Sequence, residues 1–470
     1  MKNLSIRMIL LVISFFILAN KPLGDHLMAG SNGFKLPKYK KFALKNELTV
    51  YLMEQHEVPL IYVSAVFPAG ATKDNGKFGL ASLTADALLF GTKSYTKDQI
   101  EETLDFLGVS YETSAAREFA SVSMSFMKTD QLKVFPILKE MIVQPIFDKE
   151  EFDKRKKQLL VELEQAKERP ARVIGDYFNK FVFENHAYGN PISGSISSVN
   201  ALRIEDVKNF YASNYLPAES AISFVGDFKT NELKKAIEKL FADWKGTRTS
   251  LVTKEIAVPA HQKNRLLLIN KDDATETQFV IGSFGIKRSN PDYIAIQVVN
   301  TILGGRFTSW LNDELRVNKG LTYGARSNFS PYKDSGVFIM SSYTRTEKTI
   351  EAIDLAVEVY HRLHEQGIDE TTLASARNYI KGQYPPRYET AGSLASLLTS
   401  MFVYEFDESF INNFQKNVDE MTVEKSKQII KNYFPKEHLQ FVLVGKASEI
   451  KDQVKKYGEL FEKEIKADGF

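Results

Sequence analysis

The sequence predicts an α+β protein of two homologous domains, each a mixed β-sheet with helices on one face. Three observations carry this. At 470 residues the chain is longer than one hydrophobic core usually holds. Its β-rich runs alternate with helical segments yet also neighbour one another like hairpins, which fits helices layered on a mixed sheet. The chain also contains itself twice. Asn214-Tyr215-Leu216-Pro217 followed by AISFVGDF recurs as Asn432-Tyr433-Phe434-Pro435 followed by LQFVLVGKA, an offset of 218 residues. Gly108-Val109-Ser110-Tyr111 recurs as Gly320-Leu321-Thr322-Tyr323, an offset of 212. Two similar offsets, in order, point to duplication of a unit of about 220 residues.

The elements follow along the chain. Lys2 and Arg7 precede an apolar run, Met8 to Ala19, that reads as a secretory signal and is too short to span a bilayer. Residues 1–30 are therefore taken as signal and mature tail, and export to the periplasm is expected. The first domain, 31–245, opens with the alternating runs LTVYLM and LIYVSAVF, continues through ASVSMSF and closes with AISFVGDF. Residues 246–263 hold turn residues and Pro259 without helical period, a linker. The second domain, 264–470, repeats the scheme with RLLLIN, QFVIGSF, GVFIMSSY and LQFVLVG. The paired prolines of YPPRYE, Tyr384 to Glu389, are expected to interrupt a helix.

Composition excludes several function classes. A formal net charge of +2, with Lys and Arg interleaved among Asp and Glu, argues against nucleic-acid binding. Cysteine is absent, which rules out a disulfide framework and a lipid-modified cysteine anchor. No stable membrane span is expected once a signal is removed.

The segment richest in functional information is GLASLTADALLFGT, Gly79 to Thr92. It has the frame Gly-x-Ala-His-x-x-Glu-His, four residues, Gly-Thr, with each chemical residue replaced: Ser82 and Asp86 stand at the two histidine positions and Ala85 at the glutamate. This frame resembles that of the pitrilysin/insulinase family of inverted-motif zinc metallopeptidases, and in particular the half-size members that work as two-chain complexes. In that family two histidines on one helical face hold zinc and the glutamate activates the bound water. A serine and an aspartate do not replace two imidazoles, and an alanine accepts no proton. Glu162, 76 residues after Asp86, matches the position of the family's third ligand, but with the histidines gone it reads better as a charge on an amphipathic helix with Leu159, Leu160 and Leu163 on its apolar stripe, a positional match and not a ligand.

The resemblance also implies a two-domain clamshell and singles out TILGGRFTSWLNDELRVNKGLTYGARSNF. There Arg316 and Tyr323 match a family pair that projects toward the zinc of another half or chain. A tyrosine hydroxyl can donate to a carbonyl becoming an oxyanion, and an arginine can hold a substrate carbonyl. Structure alone also accounts for each: Arg316 closes a predicted helix and Tyr323 begins a predicted strand. Gly304 and Gly305 are expected to permit a close approach, since GGRFTS lacks a P-loop ending. His361 and His364 fit an exposed helical face better than a metal site, and His186, in a family-like loop, is not a ligand. Arg345 is expected to lie in a loop. The expectation is a non-catalytic subunit with no cofactor of its own. Its partner is a homologous chain bearing the intact His-x-x-Glu-His motif and the zinc, and their joint substrates are unfolded peptides. The alternative is an inert structural or binding member of the same family.

Overall fold

A computed structural model describes residues 33–246 and 257–470, so the signal-like segment and most of the expected linker lie outside the described residues. Each half is built on a six-stranded mixed sheet. The first has the order β1(Lys40–Ala43), β2(Thr49–Glu54), β6(Ala221–Gly226), β3(Leu60–Phe67), β5(Ala120–Met127), β4(Ser110–Ala115). The second has β12(Glu459–Glu464), β7(Arg265–Asn270), β11(Gln440–Gly445), β8(Glu276–Phe284), β10(Gly336–Arg345), β9(Ala325–Pro331). Five positions correspond one to one, including the parallel pairs β2–β6 and β7–β11, as a duplicated unit requires. The sixth differs. The first sheet takes its outer strand β1 from the start of its half, antiparallel to β2, and the second takes β12 from the chain's end, parallel to β7.

The central strands are apolar on both faces, which marks a sheet covered on both sides. In β2, Val50 and Leu52 point to one core with helix Gln131–Val143, while Tyr51 and Met53 point to the opposite face. On the first face Phe135 of that helix meets Phe126 and Phe224 edge-on, with ring centroids 5.8 and 5.9 Å apart. On the second face lies helix Ala391–Val403, which belongs to the other half. Ser223 Oγ donates to the Ala395 carbonyl at 2.8 Å, and Ser64 Oγ lies 3.1 Å from Thr399 Oγ1.

The exchange is reciprocal. Helix Pro170–Phe183 from the first half sets Val173, Tyr177 and Phe178 against Leu267, Ile269, Val280 and Val442 of the second sheet. Helices therefore cover both faces of each sheet, the first face with its own half's helices and the second with one from the other half. The YPPRYE prolines do interrupt a helix: Pro385–Tyr388 forms a 3-10 turn between Glu370–Gln383 and Ala391–Val403, and so aims the exchanged helix at the first sheet.

Candidate functional site

The degenerate motif occupies helix Leu80–Ala87, whose apolar face buries Leu80, Ala81, Leu83, Ala85 and Ala87 in the first core. Parts of the frame that carry no chemistry hold the helix in place. Gly79 has φ of 90° and a Cβ there would stand 2.8 Å from the Ser193 carbonyl oxygen, so no other residue fits without strain. Gly91 has φ of 109°, and buried Thr92 donates its hydroxyl to Glu140 at 2.9 Å. Asp74 caps the helix from below, accepting the backbone N–H of Gly79 and of Ala81, both at 2.9 Å. Burial pushes its carboxyl up to about 7, against the pull of those two hydrogen bonds.

Ser82 and Asp86 share the half-buried face of this helix, one turn apart, and Ala85 is wholly buried. Helix Lys149–Lys167 runs beside it and brings Glu162 to the same place. The two carboxylates are joined by a residue that sequence reasoning missed. Arg155 donates from Nε to Asp86 Oδ2 at 2.7 Å and from Nη1 to Glu162 Oε1 at 3.1 Å. Burial raises the Asp86 pKa, Arg155 opposing it; for Arg155 burial disfavours the charge, but the two carboxylates outweigh it and its pKa is raised. Glu162 is thus more than one charge on an amphipathic face: it is half of a carboxylate pair closed by a guanidinium. The available signal was spacing, since Arg155 precedes Glu162 by two helical turns.

This donor set does not fit zinc. One oxygen of each carboxylate, Asp86 Oδ2 and Glu162 Oε1, already accepts from the guanidinium, the remaining position offers only the Ser82 hydroxyl, and the base position is a methyl group. A divalent ion about 4 Å from that guanidinium would meet roughly 8 kcal/mol of repulsion at an effective dielectric constant of about 20, a cost that a site of two imidazoles without an adjacent cation does not carry. Among the described residues no group of three or more His, Asp or Glu side chains is disposed to hold a metal.

Among the described residues no hydrogen bond or ion pair joins Arg316 or Tyr323 to Ser82, Asp86 or Glu162. Arg316 lies in a π-helical stretch, Asp313–Asn318, rather than closing a regular α-helix, and its guanidinium covers the exposed Phe307 ring at 4.5 Å. Tyr323 does not begin a strand. It sits in the turn before β9 and is 82% exposed, whereas Tyr111 in the first half lies inside β4. The turn itself is fastened: Thr344 Oγ1 donates to the Leu321 carbonyl at 2.7 Å and Ser342 Oγ donates to that of Gly324 at 2.9 Å. A rigid backbone thus presents an aromatic hydroxyl to solvent.

The minor candidates resolve as structure. A Cβ on Gly304 would lie 2.2 Å from the Ser327 backbone nitrogen, the close approach expected there. His361 and His364 are half-buried, not on an exposed face, and His364 packs edge-on against Tyr360 at 5.3 Å. Arg345 is the last residue of β10 rather than part of a loop, and pairs with Glu347 at 3.5 Å. His186 Nδ1 accepts the Tyr188 backbone N–H at 3.1 Å, capping a 3-10 turn.

Comparison with known proteins is consistent with this geometry. Residues 49–195 match the profile of insulinase, peptidase family M16, and residues 201–380 that of the peptidase M16 inactive domain. A short stretch, 436–463, also matches a profile for the mother cell inhibitor of FtsZ; it spans β11 and β12 of the second sheet. The chain is 23% identical over 406 residues to the non-peptidase homolog YmxG of Helicobacter pylori, covering 85% of this chain and 92% of that one. It is 22% identical over 360 residues to the uncharacterized zinc protease YmxG of Bacillus subtilis, covering 76% of this chain and 86% of that one. A crystal structure of a peptidase M16 inactive domain from Pseudomonas fluorescens superimposes with a TM-score of 0.81 at 23% identity, covering 87% of this chain and 98% of that one.

Proposed function

This chain belongs to peptidase family M16 as a member of the inactive type, and from that premise we propose that it is the non-catalytic subunit of a two-chain zinc peptidase. The observation that carries the reading is Arg155, whose guanidinium takes up both carboxylates at the positions where a catalytic relative ligates its metal. Hydrolysis then depends on a homologous partner with an intact His-x-x-Glu-His motif. In this proposal export through the N-terminal segment brings both chains to the periplasm.

The contribution of this chain is to bind and orient. Tyr323, exposed on a fastened turn, donates its hydroxyl to the scissile carbonyl oxygen as negative charge develops there. Arg316, held over Phe307, donates to a neighbouring carbonyl and fixes the direction of the peptide. The open edge β4 lies next to the motif helix and offers unpaired backbone groups to an extended substrate with little sequence preference. Unfolded peptides are the substrates that such an edge selects.

The test is reconstitution with a homologous zinc-bearing chain from the same source. Arg316→Ala and Tyr323→Phe should each lower kcat for peptide cleavage by about 10- to 100-fold while complex formation and melting temperature stay unchanged, because Tyr323 is exposed and Arg316, half-buried, forms no ion pair among the described residues and rests on the exposed Phe307 ring. Unchanged turnover in both variants would remove the pair from the mechanism. One finding favours a second reading, an inert binding member: the Helicobacter pylori relative is itself described as a non-peptidase homolog. On that reading the reconstituted pair assembles and gains no activity over the zinc-bearing chain alone.

A further inference from the structure

A cleft of about 1450 Å³ opens between the two halves, lined by Phe78, Phe119 and Tyr188 from the first and by Met401, Phe402 and Phe406 from the second. None of Ser82, Ala85, Asp86, Glu162, Arg316 or Tyr323 lines it, so it is separate from both sites described above. In its wall stands Glu118, a carboxylate satisfied on one side only. Oε1 accepts the Tyr188 hydroxyl at 2.6 Å and the Lys333 backbone N–H at 2.9 Å, whereas Oε2 is buried with no hydrogen-bond partner among the described residues.

The two cations beside Glu118 are committed elsewhere. Arg117, next in the chain, donates to the carbonyls of Tyr188 and Asn190 and covers the Tyr332 ring. The Lys333 ammonium is paired with Glu405. The Tyr404 hydroxyl is a nearby internal donor, its phenol pushed up to about 12 by burial, by the charge of Glu118 and by a side-chain hydrogen-bonding interaction with it, but this contact falls short of good hydrogen-bond geometry and leaves Oε2 open to a better donor. A buried carboxylate oxygen left without a donor is costly, commonly about 1–3 kcal/mol or more for a charged group. Oε2 therefore has capacity for a further donor from the cleft.

We propose that this cleft binds an apolar chain bearing an ammonium group, the ammonium donating to Glu118 Oε2 and the hydrocarbon lying against Phe78, Phe119 and Phe402. A cation is attracted to the carboxylate and to the aromatic faces, and the apolar part gains by leaving water. A metal ion is disfavoured, since among the described residues no three His, Asp or Glu side chains converge to hold one. The volume exceeds the roughly 300–1,000 Å³ of a site for one small molecule, which favours a peptide segment. Peptides present this chemistry from two sources, a free N-terminus followed by a large apolar residue, or a lysine among apolar residues. The inference goes beyond the subunit reading and needs neither partner nor zinc, so the two stand or fall separately.

The experiment is fluorescence polarisation on the full chain alone, with three peptides labelled at the C-terminus: one beginning Leu-Phe with a free amine, its N-acetylated form, and an N-acetylated form carrying an internal lysine. Binding of the free-amine peptide with loss on acetylation assigns the N-terminus; retention only by the lysine peptide assigns the side chain. In either case Glu118→Gln should weaken binding by at least about tenfold, the expected effect of removing one member of a buried charge pair. Phe402→Ala, which leaves Glu118 and its hydrogen bonds intact, should weaken it several-fold. Equal binding to Glu118→Gln of unchanged melting temperature would overturn the proposal, as would equal binding of an N-acetylated peptide without lysine, or no binding of any probe at millimolar concentration.

Discussion

The guanidinium of Arg155 decides what the motif helix does. It binds Asp86 and Glu162 across two helices, so residues descended from a metal-binding arrangement now serve as a clasp between Leu80–Ala87 and Lys149–Lys167. Restoring the ligands alone is then insufficient. Ser82→His with Asp86→His should bind zinc weakly while Arg155 remains, and adding Arg155→Met should raise the affinity at least about tenfold by removing the positive charge. Competition with a chelating dye measures this, and equal affinities with and without Arg155 would refute it. Asp74 makes a pH-dependent contribution at the same helix. Its folded pKa of about 7 lies above its ordinary 3.8, so the stability it contributes is full below the ordinary value and is lost as pH rises through the folded one. The melting temperature of the wild type should fall between pH 4 and 7 relative to Asp74→Asn, and a constant difference over that range would sink the assignment. The sequence revealed that Ser82, Ala85 and Asp86 could not do the family's chemistry because that follows from residue type. Arg155 escaped notice because its role follows from contact across helices.

Among elements, legibility tracked burial. The apolar runs legible in the sequence are β2, β3, β5, β6, β7, β8, β10 and β11, all interior strands: most are buried on both faces, while β5 and β10 keep one buried face and alternate. The strands not named are at the sheet edges. β1 (KKFA), β4 (SYETSA) and β12 (ELFEKE) are largely exposed or half-buried, and β9 was placed two residues too early at Tyr323. An edge strand meets solvent along one side, and charges such as Lys40, Lys41 and Glu462 that discourage unwanted pairing also erase the hydrophobic signal. Gly304 shows the opposite case, a sequence feature whose reason is an element contact. It lies in a π-helical turn, Thr301–Gly305, directly against β9, and a methyl group there collides with backbone, which cannot yield as a side chain would. Gly304→Ala should cost about 1–3 kcal/mol, read as a lower midpoint in urea unfolding; an unchanged midpoint would show that the turn relaxes.

At the scale of the molecule the halves are interlocked, because each sheet buries one face under a helix from the other: Ala391–Val403 over the first, Pro170–Phe183 over the second. Neither half buries its own sheet on both sides. Residues 33–246 and 257–470 expressed separately should therefore expose apolar surface, bind a hydrophobic dye and resist folding, whereas the intact chain should unfold in a single transition. Two well-folded separate halves, or two resolved transitions, would contradict this. The amino-acid order alone determined the duplication, the interior strands and the loss of the metal-binding chemistry, since each is written in local pattern or residue type. The tertiary structure alone decided the Arg155 clasp, the exchanged helices and the half-satisfied Glu118 in the cleft, because each depends on which side chains distant segments bring within a few ångströms, and local pattern carries no record of that.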